Sequence, residues 1–233
     1  MSLVRFKWLV LKGMPIDVNH ISSALLNNKF EQDISSGFIN VKVDSGRIIG
    51  VFVESKVVTK IVTDPYGISQ EIDFTDYFYV DFHLEKIGAD LHILTVFNPP
   101  SSIKNVVNKL TSIFPSNLSF SSKEIDLKKF VDLINSNDKF SAVRVDRLKV
   151  GNFVLSETSK ASLEIVSRKS AFDEIETLIG SKKFSIDKVK GKGIYQHKAF
   201  SFELVKSCLG TVSDDVYDAV KSVFLDNIFD LDV

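Results

Sequence analysis

"VDSGRIIGVFVESKVVTKIVTDPYGISQEIDFTDYFYVDFHL", residues 43–84, has no helical period, and its punctuation decides the fold of the first half of the chain. Valine, isoleucine, threonine, phenylalanine and tyrosine fill it, the residues that suit a pleated, half-buried surface. Asp44-Ser45-Gly46 supplies hairpin chemistry between "GFINVKV" and "RIIGVFVESKVV". Asp64-Pro65-Tyr66-Gly67 supplies a second turn, with proline setting φ and glycine closing it, and joins "VVTKIVT" to "ISQEIDF". A third pair of runs, "DYFYVDFHL" and "DLHILTVF", flanks a loop containing Gly88. The first hundred residues therefore read as a mostly antiparallel meander.

Working outward, a strand over 4–11 opens the chain, and Ile21, Leu25 and Leu26 share one side of a short helix over 17–27. After Pro99 and Pro100, Ile103, Val106, Val107, Leu110 and Ile113 recur at helical spacing behind a serine cap. A second helix over 127–134 follows an extended piece near Leu118. Strand-like runs return in "AVRVDRLKV", "NFVLSE" and "ASLEIVS", then a helix over 171–179, strands "FSIDKV" and "AFSFELV", and a terminal helix over 213–229. The fold class is α+β, with mostly antiparallel sheet and packed amphipathic helices. Strands followed by a helix occur twice, which suggests two similar lobes sharing a sheet, 1–122 and 123–233, although one continuous domain fits the same pattern.

The 233 residues are 44% hydrophobic and 25% charged with a net charge of -1, an ordinary globular composition. A neutral balance means that any contact with a polyanion must come from a local patch. Cys208 is the only cysteine, so no intramolecular disulfide and no thiolate metal cluster forms, and a cytoplasmic location is expected. No apolar run reaches the roughly 18 residues of a membrane helix, so no membrane partner is expected. Five arginines against 24 lysines argue against base-specific reading, which favours the arginine fork.

The candidate patch is "GSKKFSIDKVKGKGIYQHK", residues 180–198, where Lys182, Lys183, Lys188, Lys190, Lys192 and Lys198 surround one aspartate. Gly191 and Gly193 would let the backbone approach a phosphate chain, and lysines would supply point charges. Two plainer readings compete. The lysines form the solvated face of a hairpin, or they lie beside an acidic segment that carries Asp214, Asp215, Asp218, Asp226, Asp230 and Asp232.

Two nuclease patterns form the enzyme alternative. Asp44, Glu54 and Lys56 match the loose spacing of acidic, acidic-x-lysine metal-dependent nucleases, whose carboxylates hold Mg²⁺. Tyr195, His197 and Lys198 would serve a metal-independent ribonuclease, with the imidazole moving protons. The strand "DYFYVDFHL" separates Tyr77, Tyr79, Asp81 and His83 from Phe78, Val80, Phe82 and Leu84, giving a polar aromatic face. His20, His83, His92 and His197 lack metal-ligand spacing, and no phosphate-binding loop, dinucleotide fingerprint or nucleophile elbow occurs. With no convergent catalytic group, no metal site and no cofactor indicated, the reading is a non-catalytic binding or assembly subunit of a larger intracellular complex. It would take protein partners, contact nucleic acid through the lysine-rich hairpin, and self-associate through any unpaired strand edge.

Overall fold

The computed structural model describes residues 2–13, 17–31, 33–114, 118–121, 124–156, 159–179 and 184–229. Lys182 and Lys183 lie outside them, as do Asp230 and Asp232. The chain divides into two compact units, Leu9–Ser121 and Met1–Trp8 with Ser122–Val233, and strand β1 (Leu3–Lys12) contributes residues to each. The α+β class holds, with strand dominant over helix. No helix among the described residues is long and apolar enough to cross a membrane.

In the unit Leu9–Ser121, β2 (Ser36–Asp44), β3 (Arg47–Thr63), β4 (Ser69–Lys86) and β5 (Leu91–Phe97) lie side by side in chain order, next to the end of β1. β2 to β5 pair antiparallel at each step, so the meander read from the turns is what forms. Each of the three expected turns closes its own hairpin. β3 runs unbroken through "VFVESKVVTKIVT" and β4 through "ISQEIDFTDYFYVDFHL", paired without a slip from Arg47 opposite Glu85 to Thr63 opposite Ser69. Nothing in either strand interrupts period-2 alternation, so the two strands stay in one register along their whole length.

Helices α1 (Val18–Leu26) and α2 (Lys104–Ile113) contribute to the core of this unit. The Asp17 carboxylate starts α1 by accepting from the Asn19 amide at 2.9 Å. Ile21 and Leu25 of α1 and Val106 and Leu110 of α2 then close over Ile48, Phe52, Val80, Phe82 and Leu84. Phe38 meets Phe52 and Phe82 edge to face, each at 5.7 Å. The short β6 (Ser119–Ser121) pairs with Val10–Lys12 of β1.

The second unit orders its strands β1, β11 (Leu209–Ser213), β10 (Lys198–Val205), β9 (Ser185–Tyr195), β7 (Phe140–Ser156) and β8 (Ser159–Val166). Helix α3 (Leu127–Ser136) packs on β7 and β9, α4 (Ala171–Ile179) on β7 and β8, and α5 (Tyr217–Phe229) on α3. Asp126 caps α3 through the amides of Lys128 and Lys129 at 3.0 and 3.1 Å. The core holds Phe130 and Ile134 of α3 with Leu148, Val189, Phe202 and Leu204 of the sheet. Trp8 lies between Phe6 and Phe224, stacked on each at 4.2 Å, and its Nε1 donates to the Tyr217 hydroxyl at 3.1 Å.

His92 of β5 is buried at 1% exposure, and neither ring nitrogen has a hydrogen-bond partner among the described residues. Alternation puts it with Leu94 and Val96 on the core side, opposite Lys86, while His83, opposite Thr95, faces away. Burial first and Lys86 second hold the imidazole pKa below its usual 6.5. The folded chain therefore keeps His92 neutral, and below about pH 6.5 the unfolded chain binds a proton that the fold refuses. The fold should lose up to about 1.4 kcal/mol of stability per pH unit as pH falls below that value, and none from this residue above it. Denaturant titrations between pH 5 and 7.5, roughly the histidine range, should show this slope in the parent protein and a flatter one in His92→Leu.

Candidate nucleic-acid interface

From Ser185 to Tyr195 the lysine-rich stretch is strand β9. β9 and β10 join through a two-residue turn, Gln196-His197, with φ of 46° and 69°, the positive values a tight hairpin requires. Along β9, Val189, Gly191 and Gly193 are buried, while Lys190 and Lys192 are exposed and Lys188 is half-buried. The glycines face the helices. A Cβ on Gly191 would lie 2.6 Å from the Phe202 ring and 2.4 Å from the Arg144 carbonyl oxygen, and one on Gly193 would lie 2.8 Å from Phe200. They make room for two phenylalanine rings, which corrects the expectation that they open the backbone to a ligand.

The opposite face of β9 gains its character from β7, some 45 residues earlier in the chain. Arg144 stands opposite Lys192, Arg147 opposite Lys190, and Lys149 opposite Lys188. Directly opposed residues of an antiparallel pair share a face at about 4.5–5.5 Å between Cβ atoms, where like charges destabilise. Bulges between Ser141 and Arg144 and between Val145 and Arg147 re-aim β7 so that each cation meets its counterpart. The rows continue across the sheet: Lys190 is opposite Glu203 of β10, Glu203 opposite Thr211 of β11, and Thr211 opposite Arg5 of β1. Lys7 stands one row on, opposite Leu209, half-buried and donating to the Ser207 carbonyl.

Carboxylates offset part of this field. Lys188 pairs with Glu203 at 2.7 Å, Arg147 with Glu164 at 3.4 Å, and Lys192 with Asp146 at 4.0 Å. Exposed Arg5, Lys149 and Lys190 have no carboxylate within salt-bridge reach among the described residues. Lys206, by contrast, is held by Asp187 at 3.2 Å and Glu124 at 3.5 Å, and the Asp187 hydrogen bond raises its pKa. The rival reading that an acidic segment neutralises the lysines finds no ion pair among the described residues: Asp214 and Asp215 form a 3-10 turn, Asp218 and Asp226 lie on α5, and none of the four is within salt-bridge reach of Lys188, Lys190, Lys192 or Lys198. Where Arg144 meets Lys192, an open hollow of about 770 Å³ is bordered by Ala142, Ile194, Ala199 and Ser201.

The other candidates are not brought together. Asp44 ends β2 opposite Arg47, with which it pairs at 3.4 Å, and the hydrogen bond from the adjacent Ser45, then that from Arg47, hold its carboxyl below the usual range. Glu54 is seven residues further along β3 than Arg47, roughly 23 Å away at ~3.3 Å per residue. Two carboxylates so separated cannot share a Mg²⁺. Glu54 accepts two hydrogen bonds from the Asn105 side chain instead, at 2.9 and 2.8 Å. Tyr195 stands opposite Lys198 and packs on Phe140 at 4.9 Å, while His197 occupies the turn rather than a strand beside Tyr195. Among the described residues no cluster of histidine, cysteine or acidic side chains could hold a metal ion. Cys208 is buried, which pushes its thiol pKa up to about 12 and leaves it a poor nucleophile.

Arg144, Arg147, Lys149 and Arg5 were not singled out in the sequence. Their signal is the alternation of charge with Val145, Leu148 and Val150 in "AVRVDRLKV", which marks one polar face but does not say which strand lies beside it. The chain matches no protein-family model and no curated protein.

Proposed function

We propose that this protein is a non-catalytic binding module that grips the phosphate backbone of nucleic acid on the open face of β7, β9 and their neighbours. One observation carries the reading: three successive cation-cation oppositions on one strand pair, on the face away from the helices. Such an arrangement weakens the fold unless an anion relieves it, and the ladder repeats every two residues, about 7 Å. Positive charge concentrated on one open face of a chain with net charge -1 also favours oriented docking. No aromatic side chain joins the exposed cations among the described residues of this face, so base stacking contributes little and the contact is to backbone. Recognition is accordingly of charge rather than of sequence.

The experiment is a salt series with magnesium, using duplex DNA, single-stranded DNA and single-stranded RNA of scrambled sequence, with the nucleic acid inspected afterwards for cleavage. Contact with roughly five phosphates gives a slope of log affinity against log salt near -4.5 on duplex DNA. Binding should differ little between scrambled sequences. Absence of binding at about 50 mM salt, or affinity indifferent to salt, would refute the phosphate grip. Cleavage would refute the non-catalytic part of the reading.

A further inference from the structure

The β3–β4 ribbon extends beyond the strands that flank it. β2 accompanies β3 only as far as Glu54, and the Ser55 amide still donates to the Ser35 carbonyl, but among the described residues no strand pairs with the edge of β3 away from β4 from Lys56 to Thr63. These residues and their β4 partners form a two-stranded arm about 26 Å long at ~3.3 Å per residue. Along β3 the arm is exposed apart from half-buried Val58, and along β4 every residue from Ser69 to Tyr79 is exposed. Its apolar side chains stand open, with Val57 66% exposed, Ile61 64%, Ile72 43% and Phe74 45%. An isolated two-stranded ribbon is marginal in water, and an open apolar edge invites a further strand. This arm belongs to Leu9–Ser121 and shares no residue with the basic ladder.

We propose that the strand added is β3 of a second copy, paired antiparallel about a two-fold axis at Thr59. The Ser55 amide points to the outer edge, so by alternation the N–H and C=O groups of Val57, Thr59 and Ile61 do so too. Centring the axis on Thr59, the middle of the open segment, overlaps that segment fully. Val57 then exchanges backbone hydrogen bonds with Ile61 of the other copy, and Thr59 with Thr59, pairs of the kind that stabilise sheets. Lys60 falls opposite Val58 and Lys56 opposite Val62. A slip of two residues one way sets Lys56 against Lys60, and two residues the other way sets Lys60 against Lys60. Within each ribbon Lys56 already faces Asp76, and the Thr59 hydroxyl bonds Asp73 at 2.6 Å. The charges thus tolerate one full-overlap register and oppose its neighbours, which is what a self-complementary, isologous interface requires.

Sedimentation velocity without nucleic acid, from roughly 1 to 100 µM, should show a monomer-dimer equilibrium. Thr59→Lys places two cations across the axis while leaving Asp73 beside each, and should weaken the dimer at least about tenfold with an unchanged far-UV spectrum. Opposed backbones about 5.5 Å apart lie within disulfide range, so Thr59→Cys should cross-link two chains on mild oxidation. Val62→Cys, opposite Lys56 and far from its own copy, should not, and Cys208 is buried away from both. A monomer throughout, a dimer indifferent to Thr59→Lys, or equal cross-linking through Val62→Cys would each overturn the proposal.

Discussion

Replacing Trp8 with alanine should remove about 3–5 kcal/mol of stability, the range for deleting a large aromatic from a packed core. Trp8 is 1% exposed and forms the middle of a stack, with Phe6 at 4.2 Å on one side and Phe224 at 4.2 Å on the other. The indole therefore ties β1 to α5 within its own unit. Loss of the ring opens a cavity between two aromatic faces that the surrounding backbone cannot close, and the Nε1 bond to Tyr217 goes with it. Against a total of about 5–15 kcal/mol, that is a large share. A drop in melting temperature of roughly 10–15 °C follows from the usual scaling for a chain of this size. Trp8 is the only tryptophan, so far-UV circular dichroism rather than indole fluorescence must report the transition. Trp8→Phe keeps the stack and loses only the hydrogen bond and some area, so it should cost less than half as much. Equal losses in the two variants would show that the bond to Tyr217, not the stack, holds the helix.

Trp8 illustrates what the sequence carries well. It alternates with Phe6 and Val10 in a run that reads as a strand with one apolar face, and it is buried as that pattern demands. The same local logic found the meander, because Asp44-Ser45-Gly46 and Asp64-Pro65-Tyr66-Gly67 specify turns by their own chemistry. It placed the helices over 17–27, 103–113 and 171–179 to within a residue or so, because apolar spacing is a local signal, although the N-cap of α2 is Ile103 rather than the expected serine. What local logic misses is set by neighbours distant in sequence. Gly191 and Gly193 read equally as ligand approach and as packing space until Phe202 and Phe200 are known to lie against them. Half of the basic ladder stayed hidden because β7 and β9 are separated by α4 and β8, and pairing between distant strands leaves no mark on either strand alone. The arm is a third case. Phe78 continues the face of Phe82 and Val80 in unbroken alternation, yet it is 46% exposed, because it lies beyond the residues over which the core closes.

The charge ladder separates fold from function in a way a core residue cannot. Arg147→Glu combined with Lys192→Glu should weaken duplex binding by about 30- to 100-fold near 0.1 M salt and reduce the salt slope by about 2, one unit per phosphate contact removed. Stability should change little. Each substitution converts an opposition on β7–β9 into an attraction, Arg147→Glu with Lys190 and Lys192→Glu with Arg144, worth roughly 0.2–1 kcal/mol apiece. The partners on the far sides are uncharged, Val166 and Ser201. Against this, the ion pair of Arg147 with Glu164 at 3.4 Å and that of Lys192 with Asp146 at 4.0 Å each give way to a contact between two carboxylates. All four side chains are at least a third exposed, so each pair contributes at most about 1 kcal/mol. The double variant should therefore unfold within about 1 kcal/mol of the parent while its binding collapses. A solvated surface that merely happens to be basic predicts the same stability and no nucleic acid binding to lose. A structural role for the ladder, with Glu164 and Asp146 as its required partners, predicts instead that stability falls in both single variants and that any binding loss follows the unfolding. Only a face kept positive for an anion predicts that the fold is indifferent and the ligand is not.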